Sequence, residues 1–182
     1  KPVQVAVFSN GDEVELIQNG TSVGKLTSGT RLAAELPHSF LFDLTYLPGT
    51  LEAVSYKDGK EISRDTLVTT GPAKELRLIQ EKKELSANGH EVAYVRVEIV
   101  DENGIVVPDA ALKLSAAVEG VGSLAAFGSS NPITDENYTS GTFTSYHGTA
   151  TAIIRSGYQT GMCTLTVGCE GLDEKKIALT IK

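Results

Sequence analysis

Residues 10–25 read NGDEVELIQNGTSVGK. Val14 and Leu16 share one parity and Glu13 and Glu15 the other, the period of a half-buried β-strand. Asn19-Gly20 supplies the two positive φ angles of a two-residue hairpin turn, and Thr21–Lys25 reads as the returning strand. Such a turn pairs Leu16 with Val23 and Glu15 with Gly24. The apolar side takes the core, so Glu13 and Glu15 are predicted to face away from it.

The same punctuation recurs. Four of the six asparagines, Asn10, Asn19, Asn88 and Asn103, precede Gly, and Asp58-Gly59 adds a fifth such pair. Between these marks the apolar period is two. Phe40, Phe42, Leu44 and Tyr46 alternate with Asp43 and Thr45, Val95, Val97 and Ile99 with Arg96 and Glu98, and Leu112, Leu114, Ala116 and Val118 with Lys113, Ser115 and Glu119; Ile177, Leu179 and Ile181 repeat the spacing. No stretch of twelve residues holds a helical period, so the chain reads as all-β, with strands every eight to twelve residues as in a sandwich. Thr69-Thr70-Gly71-Pro72 interrupts the pattern, because Pro removes a ladder donor and Gly weakens strand order. These observations predict two tandem immunoglobulin-like β-sandwich domains, 1–72 and 73–182. The first is small for an independent core and is expected to lean on the second or on neighbours outside the sequence.

Composition sets limits. The 182 residues are 41% hydrophobic and carry a net charge of −7, which leaves no electrostatic footprint for nucleic acid. No run approaches the roughly 20 apolar residues of a membrane helix, so no membrane insertion is expected. The chain lacks an initiator Met and enters a strand pattern almost at once, which predicts a piece of a longer protein; a processed mature chain would begin the same way. Cys163 and Cys169 end the segment CTLTVGC. On one strand their sulfurs lie about 20 Å apart, beyond disulfide reach, so both are expected as buried free thiols.

Candidate chemistry is sparse. Glu13 and Glu15 have the spacing of paired acids on one strand face, and a retaining glycosidase holds two carboxyl groups about 5–5.5 Å apart. Their outward orientation argues for solvated acids instead. His38, His90 and His147 are scattered with no partner at metal-ligand spacing, so no metal and no cofactor is expected. No G-x-S-x-G elbow occurs. DENGIVVPDA, residues 101–110, offers Asp101, Glu102, Asn103 and Asp109 as oxygen ligands but lacks EF-hand spacing, and reads as a turn. YTSGTFTSYHG, residues 138–148, gathers Tyr138, Phe143, Tyr146 and His147. Phe143 is expected in the core and the tyrosines on strand edges. Tyr138, Tyr146, His147 and Tyr158 are the candidates for carbohydrate contact, since aromatic rings stack on sugar faces.

VELIQNGTSVGK (14–25) resembles the VEL-x-x-NG-x-S-x-G hairpin of the small β-domain that follows the catalytic barrel in many bacterial family 2 glycoside hydrolases of the β-galactosidase type. LPGTLEAVSYKDGK (47–60) is similar to that domain's next signature, Y-x-PG-x-L-x-A-x-x-Y-x-x-G. The segment from Leu67 to Ala110 resembles the family's junction and the opening of its C-terminal immunoglobulin-like domain. YHGTATAIIRSG (146–157) resembles that domain's F-x-G-x-A-x-x-x-x-RS strand. The order and spacing also agree across nearly the whole chain. One departure is visible: Gly128-Ser129-Ser130-Asn131-Pro132 stands where the family commonly has Gly-Asn-Gly-Asp-Pro.

The resemblance implies a non-catalytic C-terminal region. In such enzymes the acid/base glutamate follows an Asn, and this sequence has no Asn-Glu dipeptide, so no catalytic residue is carried over. The implied partners are the catalytic barrel and N-terminal domains of the parent chain, with galactoside glycans as candidate ligands. The implied location of the parent is periplasmic or extracellular. Two other functions compete: a carbohydrate-binding module, against which the absence of Trp counts, and tandem domains of a bacterial surface adhesin. The VEL-x-x-NG signature favours the hydrolase.

Overall fold

The computed structural model describes residues 1–27 and 38–182. Among the described residues there is no helix, and the chain divides into two compact units, Lys1–Thr69 and Thr70–Lys182. Both are immunoglobulin-like β-sandwiches.

The first unit contains β1 (Pro2–Phe8), β2 (Glu13–Gln18), β3 (Thr21–Thr27), β4 (Ser39–Thr45), β5 (Thr50–Lys57) and β6 (Lys60–Val68). β1 and β4 form an antiparallel ribbon, and a four-stranded sheet has the order β3-β2-β5-β6. Val14, Leu16, Phe40 and Phe42 are buried between the two layers, with Val5, Val7, Leu26 and Leu44 packed around them. The alternation in the sequence fixes these faces.

The register of the β2–β3 hairpin differs from the one predicted. Gln18 pairs with Thr21 and Ile17 with Ser22, but Leu16 then faces Gly24 and Glu15 faces Lys25. Val23 is the extra residue of a β-bulge, 43% exposed. The bulge places Gly24 opposite Leu16, where the Phe42 ring packs beside it. Positive φ at both turn residues occurs at Asn19-Gly20 and Asp58-Gly59, the loops of the β2–β3 and β5–β6 hairpins. At Asn88-Gly89 and Asn103-Gly104 only the Gly is left-handed, and at Asn10-Gly11 neither residue is. Those three pairs separate strands without closing two-residue hairpins.

The second unit contains β7 (Glu75–Gln80), β8 (Glu84–Leu85), β9 (Val92–Val100), β10 (Lys113–Gly120), β11 (Gly122–Gly128), β12 (Thr142–Thr144), β13 (Thr149–Ser156), β14 (Gly161–Cys169) and β15 (Leu172–Ile181). One sheet has the order β12-β10-β14-β15-β8 and the other β11-β13-β9-β7. β8 pairs parallel with the end of β15; the remaining pairings are antiparallel. The core between the sheets holds Leu76, Val95, Val97, Ile99, Leu114, Phe127, Phe143, Ile154, Leu165 and Leu179. Cys163 and Cys169 are free thiols on the single strand β14; Cys163 is buried but Cys169 is only half-buried.

The two units divide at Thr69, not at Pro72, because the local hydrogen bonds separate there. Thr69 donates its amide to the Gly49 carbonyl at 2.8 Å and accepts the Gly49 amide on Oγ1 at 3.1 Å, within the first unit. Gly71 instead donates its amide to Asp101 at 2.9 Å, within the second. Truncating Phe127, wholly buried, to Ala is expected to cost about 3–5 kcal/mol of the second unit's stability, measured by urea unfolding.

Candidate functional site

Glu13 lies on the outer face of β2 and accepts Lys25 Nζ at 2.7 Å. That ammonium also sits 4.3 Å from the centroid of the Tyr56 ring. Tyr56 donates its hydroxyl to Glu15 Oε2 at 3.2 Å. A hydrogen bond from Ser22 holds the Glu15 carboxyl below its ordinary value; Tyr56, Lys25 and Arg64 add to this and partial burial opposes it. The two acids therefore do face away from the core, yet they are partnered groups in a surface network and not merely solvated ones. A general acid at neutral pH needs the opposite displacement. Glu75, Glu91, Asp101 and Glu136 also move down.

Asp101 settles the reading of residues 101–110. Its carboxylate is buried and accepts the amides of Gly71, Asn103 and Ile105, each at 2.9 Å. Those bonds, Gly71 first, hold its pKa down. The oxygens that a cation would need are committed to the backbone. Among the described residues, no cluster of three His, Cys, Asp or Glu side chains is suited to a metal ion.

The aromatic candidates occupy separate places. Tyr138 lies in the loop between β11 and β12, its ring stacked on Phe143 with centroids 4.7 Å apart. Phe143 itself is in the core. Glu136 anchors this loop: it accepts the Thr144 amide at 3.1 Å and the Thr144 hydroxyl at 3.0 Å, and it pairs with Lys113. Tyr146 and His147 touch edge to face, with ring centroids 4.1 Å apart, in the turn between β12 and β13. His147 and Gly148 have φ of 49° and 70°. A Cβ on Gly148 would fall 2.3 Å from the Val107 carbonyl oxygen, so both backbone and space demand glycine there. Tyr158 follows β13, 77% exposed, and lies over Gly89. The tyrosines thus sit in loops and turns, not on strand edges.

β13 has eight residues, which puts Tyr158 about 23 Å along the strand from the Tyr146–His147 turn. Tyr158 therefore lies apart from Tyr146 and His147. A shallow cavity of about 280 Å³ opens beside Ala126, Ser129, Ser130, Thr151 and Ile153, and Tyr138 alone of the four candidates lines it. Ser129 Oγ is buried there without a hydrogen-bond partner among the described residues.

One cluster is missed by sequence reasoning. Glu98, 5% exposed, accepts Arg77 Nε and Nη2 at 2.7 and 2.6 Å and Arg96 Nε at 2.9 Å. The i,i+2 pair Arg96-x-Glu98 is readable on one strand face, but Arg77 arrives only through the pairing of β7 with β9.

Comparison with known proteins follows the division into units. The profile of glycoside hydrolase family 2 C-terminal domain 5 matches residues 76–178, and the domain of unknown function DUF4982 matches residues 1–63. The chain is 28% identical over 173 residues to beta-galactosidase BoGH2A of Bacteroides ovatus, covering 95% of this chain and 20% of that protein. It is 33% identical over 144 residues to a beta-galactosidase of Thermoanaerobacter pseudethanolicus, covering 73% of this chain and 19% of that one. The crystal structure of a glycosyl hydrolase family 2 member from Bacteroides cellulosilyticus superimposes with a TM-score of 0.95 at 30% identity, over 100% of this chain and 23% of that one. The chain spans about a fifth of the length of the curated relatives it matches.

Glu91 gives a pH prediction. The Ser86 amide, 2.6 Å from Oε2, and Lys82, 2.9 Å from Oε1, bring its carboxyl from 4.5 down to about 2. A depressed acid contributes stability above its unfolded value and loses it as the unfolded state takes up the proton first. Stability should therefore fall as pH drops from about 4.5 toward 2. Glu91→Gln should flatten that limb when urea midpoints are measured against pH.

Proposed function

Because the chain belongs to glycoside hydrolase family 2 through its C-terminal domain 5, we propose that it is the accessory C-terminal region of a β-galactosidase-like glycosidase. In this reading it supports the catalytic barrel of the parent chain, helps to shape access to its substrate, and supplies no catalytic residue itself. The observation that carries the reading is one of extent. The whole chain superimposes on a family 2 hydrolase yet accounts for 23% of it. A catalytic (β/α)8 barrel needs about 250 residues of alternating strands and helices, more than the 182 present. The committed state of Glu13 and Glu15, both partnered and Glu15 held ionised, agrees with a structural role for those acids.

A carbohydrate-binding module is the second reading, and the cavity beside Tyr138 is the observation in its favour. A half-exposed tyrosine ring beside the cavity offers an aromatic surface for a sugar face. The separation of Tyr158 from Tyr146 and His147 counts against a single extended site. Under the accessory reading, calorimetric titration of the chain with lactose gives no binding heat at millimolar sugar. Heat that Tyr138→Ala abolishes would establish the module instead.

For the first reading the test is kinetic. The purified chain should not hydrolyse 4-nitrophenyl β-galactoside above the buffer rate, whereas the parent protein should. Glu15→Gln in the parent should leave kcat/KM within about twofold, as for a residue outside the transition-state contacts. Turnover by the isolated chain that Glu15→Gln removes would overturn the proposal.

A further inference from the structure

The first unit is open along one side. β6 is exposed along its whole length, and its core-facing residues, including Leu67 at 64% exposure, have no strand above them. Between β1 and β6 lies a cleft of about 370 Å³, walled by Val5 and Val7 and floored by Leu51, Ala53, Asp65 and Leu67. Phe8, 71% exposed, also lines it.

Four strands of this unit have a free edge among the described residues: β1, β4, β3 and β6. Natural sheets guard such edges with charges, Lys above all. β3 carries Lys25, β4 carries Asp43, and β6 carries Lys60, Glu61, Arg64 and Asp65. β1, PVQVAVF, carries no charge at all. It combines alternating Val with a row of backbone donors and acceptors that no described strand pairs, which is the pattern of a strand built to be paired. The outer face of the sheet is already closed by its own ion pairs, Arg64 with Glu52 and Glu61 and Lys25 with Glu13. Asp65, on the cleft side, takes part in none of the unit's ion pairs among the described residues; its Oδ1 accepts only the Thr66 amide, at 2.9 Å.

We propose that an extended segment from the remainder of the parent chain adds as a strand to the free edge of β1. Neighbouring strands lie about 4.8 Å apart, so an added strand covers the floor of the cleft. Its alternate apolar side chains seat against Leu51, Ala53 and Leu67, and a basic side chain meets Asp65. Main-chain hydrogen bonds supply the affinity in this mode and side-chain pockets the register. The occupant comes from the same chain because about four-fifths of the relatives' length lies outside the matched region. A tethered segment also acts at an effective concentration that a second copy does not reach. This inference rests on the accessory reading above and names the surface through which support is delivered.

Hydrogen–deuterium exchange tests it on two proteins, the 182-residue chain and the full-length parent. The outward amides of β1 should exchange at least ~10-fold more slowly in the parent, the difference between an open and a paired strand edge. Ala6→Lys puts a charge on an exposed position of β1. It should leave the unfolding midpoint of the 182-residue chain unchanged and remove the extra protection in the parent. Equal exchange of β1 in both proteins overturns the proposal. So does a concentration-dependent dimer of the short chain with β1 protected, which makes a second copy the occupant. Protection confined to the second unit, at β9 around the half-exposed Tyr94, also overturns the β1 site while leaving the accessory role standing. Protection of β1 in a parent that hydrolyses no glycoside has the opposite meaning: the strand site holds and the glycosidase reading fails.

Discussion

The second unit depends on the inner face of one strand. Ala93, Val95, Val97 and Ile99 are wholly buried on β9, and β9 is hydrogen-bonded on both sides, to β7 and to β13. Burying one such Val or Ile is worth about 1.5–3 kcal/mol, so no register that turns this face outward can compete. The same constraint sends Tyr94, Arg96 and Glu98 to the opposite face, where Arg77 from β7 meets Glu98. The ion cluster is thus a consequence of the hydrophobic choice. Its carboxylate is desolvated, and the two guanidinium groups compensate that cost.

At the end of β9 a single carboxylate organises three segments. Asp101 takes the amides of Gly71, Asn103 and Ile105, so it ends the strand, shapes the following turn and fixes the entry of the chain into the second unit. Buried amides without partners are costly, and a charged acceptor satisfies three at once. Acidic, Asn-Gly-rich stretches are easily mistaken for cation loops. Here the acid is spent on the backbone, which is why its pKa is lowered by hydrogen bonds to peptide groups.

The first unit shows the limits of a small core. Among the described residues its buried cluster has four members, Val14, Leu16, Phe40 and Phe42, against the twenty of the second. A domain of this size buries a smaller fraction of its surface than a larger one. The open cleft over β5 and β6 fits that limit: the two-stranded ribbon of β1 and β4 is too narrow to cover a four-stranded sheet.

Much of the fold was legible because alternation of apolar residues is a local property that survives without knowledge of neighbours. Val14, Leu16, Val95, Val97, Ile99, Leu114, Leu179 and Ile181 were each assigned to a core face by parity and lie there. The hairpins at Asn19-Gly20 and Asp58-Gly59 followed from the φ angles those residues tolerate. What failed was pairwise. The bulge at Val23 shows only in the pairing of β2 with β3, and the Val107 carbonyl that crowds Gly148 is distant in sequence. Tyr158 and the Tyr146–His147 pair, close in sequence, stand at opposite ends of β13. By itself, then, the sequence determined the all-β class and the outward direction of Glu13 and Glu15, since period and turn chemistry are written residue by residue. Only the tertiary structure decided the partners of those acids, the Arg77–Glu98–Arg96 cluster and the uncovered edge of β1, because each arises where strands distant in sequence meet or leave a gap.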